Sequence, residues 1–459
     1  MMSVDLETDV VVVGGGACGL MAATMTAAFG EDINVMLLEK SSRLGCNAEI
    51  ASGTLIAAGT RFQKAAGIDD SPEIMAADIV RKARGKSDVP LTLALCQKSA
   101  EMVHWFADEL GVPIELGTEM KRVGHTRMRM HAHPTRSGAP IVQALRDRVK
   151  ALSNVVYADN TPGCGLITDR AGGVIGALAG QGDRVERIGC RRVVLATGGF
   201  GANREMLERF ISGARDSLHI GVESNTGDGI RWGVEVGAAI EHMGGYQGHG
   251  YVVPGYGTRL NPGVIYAGGI VVNRLAERFE REDQGYSEWA GVVLRQPGGV
   301  GIAVWDERIQ RLYAHAHTMV DSMKAGAIVR AERLNELAQH CGLDMSKLTA
   351  TVEDYNRGVL RKRDPLGREL LDQPLVPPFY AALITGAVAH TLGGLKIDVH
   401  GRVLQPDGRP IPNLYAGGGT AVGLSGDTPD GYLSGSGLLT AYGLGMIIGR
   451  HVARSLRGG

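Results

Sequence analysis

The sequence is poor in aromatic residues, 5% of its length, and in cysteine, six in 459 residues. Cys18, Cys46, Cys96, Cys164, Cys190 and Cys341 form no CxxC pair, no CxxCH haem-attachment site and no clustered framework. That spacing excludes a disulfide scaffold and points to a reduced cytoplasm. An excess of one charge is also missing, since 48 Lys plus Arg face 49 Asp plus Glu. No basic field is left to collect nucleic acid and there is no acidic tail, so a small-molecule partner is expected. Long apolar runs are absent too. The longest segment near the C-terminus, "GLLTAYGLGMIIG", is too short and too rich in glycine to span a bilayer, and reads as a helix buried in a core. The opening "MMSVDLETDVVVV" enters an apolar strand without a basic n-region or cleavage site, so a mature chain is expected.

Glycine is what the chain has in abundance, 67 residues without a collagen-like period, in a composition that is 44% hydrophobic. This describes a globular protein with many tight turns and close backbone approaches. Its length exceeds one comfortable core, which implies two domains or one with a large insertion.

Asp9 to Val13 reads as a strand, "GGGACG" as a turn, "LMAATMTAAF" as a helix, and Asn34 to Leu38 as a second strand ending at Glu39. Helices are expected after the Ser71 N-cap with Pro72 at the first position, from Leu91 to Leu110, and over "SGAPIVQALRDRVKAL", where Ile141, Leu145, Val149 and Leu152 share a face. From Asn154 short apolar runs suggest a meander ending in "RRVVLATGG". Residues 244–382 change texture, with short strands, a polar helix around "AERLNELAQHCG" and a proline-bearing exit, and read as an inserted domain.

Gly14, Gly16 and Gly19 form GxGxxG between strand and helix, and Glu39 closes the next strand twenty positions beyond Gly19. The glycines would let the helix N-terminus approach a pyrophosphate, and Glu39 would accept hydrogen bonds from a ribose. Ala17 and Lys40, beside Gly16 and Glu39, join this candidate cofactor site. The competing reading is a glycine-rich turn without a ligand. "HTRMRMHAHPTR" places His131 and His133 on one face if extended, but without carboxylate or cysteine. No metal is expected there, and a solvated, arginine-rich segment near the cleft is the preferred reading.

Six ordered segments, "GCNAEIASGTLIAAGTRFQKAAGIDDSPE", "VVLATGGFGANREM", "NTGDGIRWGVEVGAAI", "VVNRLAERFERE", "HTLGGLKID" and "IPNLYAGGG", resemble the flavoprotein family of fumarate reductases, succinate dehydrogenases and 3-ketosteroid dehydrogenases. The resemblance implies an α/β fold: an FAD-binding Rossmann-like domain of the two-dinucleotide-binding type, residues 1–243 and 383–459, with an inserted α+β cap domain, residues 244–382. It places Asn47, Ser52 and Gly53 near the isoalloxazine, Thr197, Gly198 and Gly199 near the adenosine half, and Asp228 beside the ribityl or flavin region. Gly418 and Ser434 complete its cofactor set. Gly419 stands where the family usually has an acidic or amide residue, which removes a ribityl contact. No histidine lies between Glu39 and Gly59, so the FAD is expected to be non-covalent.

Departures from the family narrow the reaction. Fumarate reductases hold a dicarboxylate with two histidines and two arginines. This sequence keeps the histidines as His249 and His390, but Tyr286 occupies the position of the proton-donating arginine and Tyr432 that of the carboxylate-binding one. Without both cations, closing a cleft over two carboxylates is strongly unfavourable. The ketosteroid dehydrogenases place tyrosines in both positions. The resemblance therefore implies Tyr286 as the base for a proton next to a carbonyl, and Tyr432 with the N–H of Ser436 or its neighbour as the enolate-stabilising hole. A free tyrosine has a pKa of about 10, so the base needs donors or positive charge that the sequence does not identify. The retained histidines argue against a steroid-sized substrate, and each of these side chains could instead be a packing residue.

The leading expectation is an FAD-dependent α,β-dehydrogenase of a saturated carbonyl compound, a cyclic ketone or keto acid, using an external electron acceptor. The alternatives are an ene-reductase of a conjugated acid or enone fed by an external donor, and a non-catalytic flavin electron-transfer subunit. A single GxGxxG, claimed by FAD, disfavours a nicotinamide-linked enzyme.

Overall fold

The computed structural model describes residues 4–41, 45–118, 121–182, 184–215 and 217–458. The chain divides into two compact units: Met1–Ser212, Ile220–Gln247 and His390–Gly459 in the first, Gly213–His219 and Gly248–Ala389 in the second.

The first unit is built on a six-stranded sheet, in spatial order Arg402–Leu404, Pro410–Ala416, Arg192–Leu195, Val10–Val13, Val35–Leu38 and Val155–Ala158. All pairs are parallel except the antiparallel edge at Arg402–Leu404. Val10–Val13 is buried throughout, as an apolar run without alternation requires in a sheet covered on both faces. Parallel order brings the carboxyl ends of Val10–Val13, Val35–Leu38 and Arg192–Leu195 to one edge. Gly14–Gly16, Glu39 and Thr197–Gly199 follow those strands and so collect there, where ligands bind in such sheets.

Helix Ala17–Phe29 is buried on almost every side and packs against the closing helix Ser436–Arg457. The glycines of "GLGMIIG" explain the close approach. A β-carbon at Gly445 would stand 2.6 Å from the Cys18 carbonyl oxygen, and one at Gly449 would stand 2.5 Å from that of Ala22. No helix among the described residues is long and apolar enough to cross a membrane.

The expected helices form at Pro72–Lys82, where the Ser71 hydroxyl accepts the Ile74 N–H, at Val89–Asp108, and at Ala139–Ala151. The meander differs from expectation. Val155–Ala158 joins the main sheet parallel to Val35–Leu38, and the antiparallel run is Gly163–Thr168, Val174–Gln181 and Arg184–Gly189. A short half-exposed edge strand carries no signal telling it which partner it will meet.

The second unit centres on the strand Phe379–Thr391 as far as Ala389, which antiparallel Val300–Asp306 and Val329–Ala331 and parallel Leu218–His219 flank. Its core stacks aromatics: Phe279 on Trp289 at 5.4 Å, Tyr251 on Trp289 at 6.4 Å and Trp305 on Tyr380 at 6.1 Å between ring centroids. Few aromatics exist in the chain, and this unit spends several of them on one core.

Candidate active site

The glycine turn separates packing from ligand requirements. Gly14 has φ +109°, and a β-carbon there would lie 2.3 Å from the Ala196 carbonyl oxygen. One at Gly19 would lie 1.8 Å from the Gly14 oxygen. These two glycines are demanded by the protein itself. Gly16 is not: its nearest neighbour would be the Cys46 β-carbon at 3.6 Å, an ordinary contact. Gly16 caps helix Ala17–Phe29, which has no side-chain cap and no acidic residue in its first turn. The space at Gly16 and the first-turn N–H groups beyond Ala17, whose own N–H faces the Cys46 thiol, fit a pyrophosphate.

Glu39 is oriented by backbone. Its Oε2 accepts the Gly15 N–H at 2.7 Å and its Oε1 the Ser41 N–H at 2.8 Å. Lone pairs remain on both oxygens for ribose hydroxyls. Tyr157, unremarked in the sequence, lies near Gly15 and Glu39. Lys40 donates to Asp228 at 2.9 Å and to Thr226 at 3.0 Å. Burial alone would raise the Asp228 pKa, but Lys40, Thr226 and Arg231 outweigh it and hold the carboxylate low. Asp228 thus sits beside Lys40, next to the candidate ribose acid Glu39.

Several cofactor candidates are occupied locally. The Thr197 hydroxyl accepts the Gly229 N–H at 3.1 Å, fixing the start of helix Asp228–Glu235. β-Carbons at Gly198 and Gly199 would each meet an oxygen at 2.2 Å, of Asn225 and Thr391 respectively. The Asn47 side-chain oxygen accepts the Val222 N–H at 2.8 Å. The Ser52 and Thr54 hydroxyls pair at 3.1 Å. Gly53, φ +66°, faces the Ser137 carbonyl, which a β-carbon would approach to 2.6 Å. A β-carbon at Gly418, φ +60°, would lie 3.0 Å from that of Cys18. At Gly419 it would lie 2.7 Å from the Gly199 nitrogen, so the backbone leaves no room for the acidic or amide side chain expected there. The Ser434 carbonyl meets Nε2 of His125 at 3.0 Å.

In the first unit, Tyr432 and His390 form an edge-on pair with centroids 5.9 Å apart. A β-carbon at Gly437, in the first turn of the closing helix, would be 2.9 Å from Cε1 and Nε2 of His390 and 3.7 Å from the Tyr432 hydroxyl. Tyrosine hydroxyl, imidazole and helix N-terminus therefore converge. Ser436 does not supply the backbone donor foreseen for it, because its N–H closes a turn onto the Leu433 carbonyl at 3.0 Å. Its buried hydroxyl has no partner among the described residues. The neighbouring N–H of Gly437 is the available donor at this end.

In the second unit, His249 is buried and its ring lies 5.5 Å from that of Tyr286. Burial, with a smaller effect of the Arg259 charge, pushes the His249 pKa down to about 3. Its Nδ1 accepts the Tyr251 N–H at 3.4 Å, which leaves the proton on Nε2. His249 is thus a neutral donor. Tyr286 opens helix Tyr286–Leu294, which has no side-chain cap. The preceding loop is clamped: Glu282, fully buried, meets Arg278 at 2.6 Å and Arg368 at 3.4 Å, and Asp283 accepts the Glu369 and Leu370 N–H groups at 2.6 and 2.9 Å. Arg259, half-buried, forms no ion pair among the described residues.

The arginine-rich segment departs from its expected solvation. Arg129 and His131 are fully buried and His125 nearly so. Arg129 bridges Asp70 at 2.6 Å and Asp78 at 2.5 Å, which satisfies its charge without water. No group of three or more His, Cys, Asp or Glu residues that could hold a metal occurs among the described residues.

A dinucleotide fold with room for a pyrophosphate at its glycine turn and a backbone-held carboxylate at Glu39 accords with a flavin-dependent oxidoreductase. Residues 9–431 match the model of the family described as FAD binding domain, and the chain belongs to that family. Its cofactor is FAD and its class is oxidoreductases acting on CH–CH groups. The chain is 29% identical over 455 residues to a probable fumarate reductase of Shewanella frigidimarina, covering 97% of this chain and 75% of the other. It is 28% identical to a urocanate reductase of Eggerthella lenta, over 90% of this chain and 69% of that one. Among solved structures, the open conformation of a flavocytochrome c3 fumarate reductase matches with a TM-score of 0.83 at 28% identity, covering 98% and 79% of the two chains. A 3-ketosteroid-Δ4-(5α)-dehydrogenase from Rhodococcus jostii, in complex with 4-androstene-3,17-dione, matches at 0.79 and 27%, covering 99% and 98%.

Proposed function

We propose that the protein is an FAD-dependent α,β-dehydrogenase of a saturated carbonyl compound, a cyclic ketone or keto acid. The observation that carries this reading is the pairing of tyrosine with histidine at both candidate positions, Tyr286 with His249 and Tyr432 with His390. Tyr286 takes the proton from the carbon next to the carbonyl. The Tyr432 hydroxyl and the Gly437 N–H receive the charge that develops on the carbonyl oxygen, donors preorganised so that the enolate costs little reorganisation. The Nε2–H of His249 is the donor that favours a phenolate at Tyr286, against the opposing charge of Glu288 in the first turn of helix Tyr286–Leu294. FAD, when bound, supplies the acceptor for hydride from the β-carbon. The cofactor is non-covalent, the electron acceptor is external, and a cytoplasmic location accords with the free cysteines.

A second reading has its own support. Arg259, whose charge acts on His249 and which forms no ion pair among the described residues, and relatives named as reductases favour reduction of a conjugated acid, with Tyr286 giving the proton instead. Anaerobic titration of the FAD protein with saturated cyclic ketones, keto acids and succinate separates the two. Flavin bleaching by a ketone or keto acid supports the dehydrogenase. Bleaching by succinate alone, or reoxidation of reduced flavin only by conjugated acids, overturns it in favour of the reductase.

A further inference from the structure

The loop carrying Tyr432 reaches the closing helix through Leu433, Ser434 and Gly435, whose φ is +91°. Two contacts from residues 124–125 hold it. Gly124 lies so close to Leu433 that a β-carbon there would stand 2.7 Å from Cδ1, and His125 Nε2 meets the Ser434 carbonyl at 3.0 Å. A carbonyl only accepts, so Nε2 carries the proton. Arg129 secures that tautomer: its Nη1 faces His125 Nδ1 at 3.5 Å, and a guanidinium presents only N–H, so Nδ1 must be the lone-pair nitrogen. Arg129 is itself immobilised by Asp70, at 2.6 and 2.9 Å, and by Asp78, at 2.5 Å. Gln63 donates to Asp70 at 2.8 Å, and Thr126 donates to Asp78 twice, each at 2.8 Å. The buried Arg129–Asp70–Asp78 cluster, joined at Asp78 by the exposed Arg81, thus presents one neutral N–H to the loop between Tyr432 and Gly437.

We propose that His125 is a positioning residue for the reaction. Its Nε2–H, oriented by the Arg129–Asp70–Asp78 cluster, anchors the Ser434 carbonyl and so fixes the Tyr432 hydroxyl relative to the Gly437 N–H. The inference rests on the role given above to Tyr432. Burial holds the His125 pKa down at about 4, which keeps the ring neutral at physiological pH.

The test compares His125→Leu, which fills the volume without a donor, with His125→Gln, whose amide restores one. Hydrogen exchange of the FAD-bound proteins reads the loop directly. Faster exchange in His125→Leu over residues 432–437, by roughly tenfold for one lost hydrogen bond, with recovery in His125→Gln, is expected. With the ketone that bleaches the wild-type flavin, the maximal rate of bleaching falls in His125→Leu while the half-saturating ketone concentration stays constant, and His125→Gln recovers the rate. Unchanged exchange at the loop overturns the inference, as does equal damage in both variants. If no ketone bleaches the wild type, the dehydrogenase reading fails while the exchange data still decide whether His125 anchors the loop.

Discussion

Replacing Gly437 with alanine puts a methyl carbon 2.9 Å from Cε1 and Nε2 of His390 and 3.7 Å from the Tyr432 hydroxyl. Carbon contacts settle at about 3.5–4.0 Å, so imidazole and helix must separate by roughly 0.6–1 Å. Stability changes little, because alanine gains up to about 1 kcal/mol of helix propensity over glycine against a strain of comparable size. The rate should not escape: a displacement of about 1 Å in a catalytic arrangement costs on the order of a hundredfold. We expect Gly437→Ala to bind FAD and melt near the wild-type temperature, while the first-order rate of anaerobic flavin bleaching by a responsive ketone drops by one to two orders of magnitude. Gly437→Ala combined with His390→Ala removes the obstruction and tells crowding from loss of the imidazole. A wild-type rate in Gly437→Ala would refute the convergence of Tyr432, His390 and the helix terminus.

Gly16→Ala should leave the FAD-free protein as stable as before, since the new methyl meets only Cys46 at 3.6 Å, yet weaken FAD binding in a fluorescence titration. Gly19→Ala, 1.8 Å from the Gly14 carbonyl, should instead lower the melting temperature with or without FAD. Arg129→Met strands Asp70 in the interior and leaves Asp78 paired with Arg81 alone, and should cost about 3 kcal/mol in urea denaturation. Burial holds His125 and His131 at about 4 and His249 at about 3, all below the unfolded value of about 6.5. Between pH 6.5 and 4 the unfolded chain therefore binds more protons than the native one. Stability should fall as pH drops through that window, by up to about 1.4 kcal/mol per pH unit for each histidine, and should be insensitive to these groups above pH 7.

Local chemistry was legible in the sequence where one short segment contains it. The strand, GxGxxG turn and Glu39 could be read because all their spacings lie within one unit of chain. The Ser71 cap and the glycines of the closing helix were readable for the same reason. Arg129 was not, because its carboxylates, Asp70 and Asp78, lie about fifty to sixty positions away, and an arginine-rich run without visible partners reads as solvated. The helix Tyr286–Leu294 was hidden by Trp289, Val292 and Val293, whose weak helix propensity is overridden by burial in the aromatic core. Between Ser436 and its neighbour the sequence offered no choice, since only the turn onto Leu433 reveals that the Ser436 N–H is already used. Gly419 shows the converse: a departure from the family pattern becomes intelligible once the Gly199 backbone is seen beside it.

The central claim is that Tyr286 moves the proton, and an anaerobic single-turnover experiment on Tyr286→Phe tests it most directly. The variant keeps the ring that packs near His249 and lacks only the hydroxyl. The account predicts a protein that retains FAD and binds the ketone, with bleaching slower by a factor of about 10²–10⁴, the usual contribution of a positioned acid or base. Bleaching at the wild-type rate would contradict it and remove Tyr286 from the chemistry.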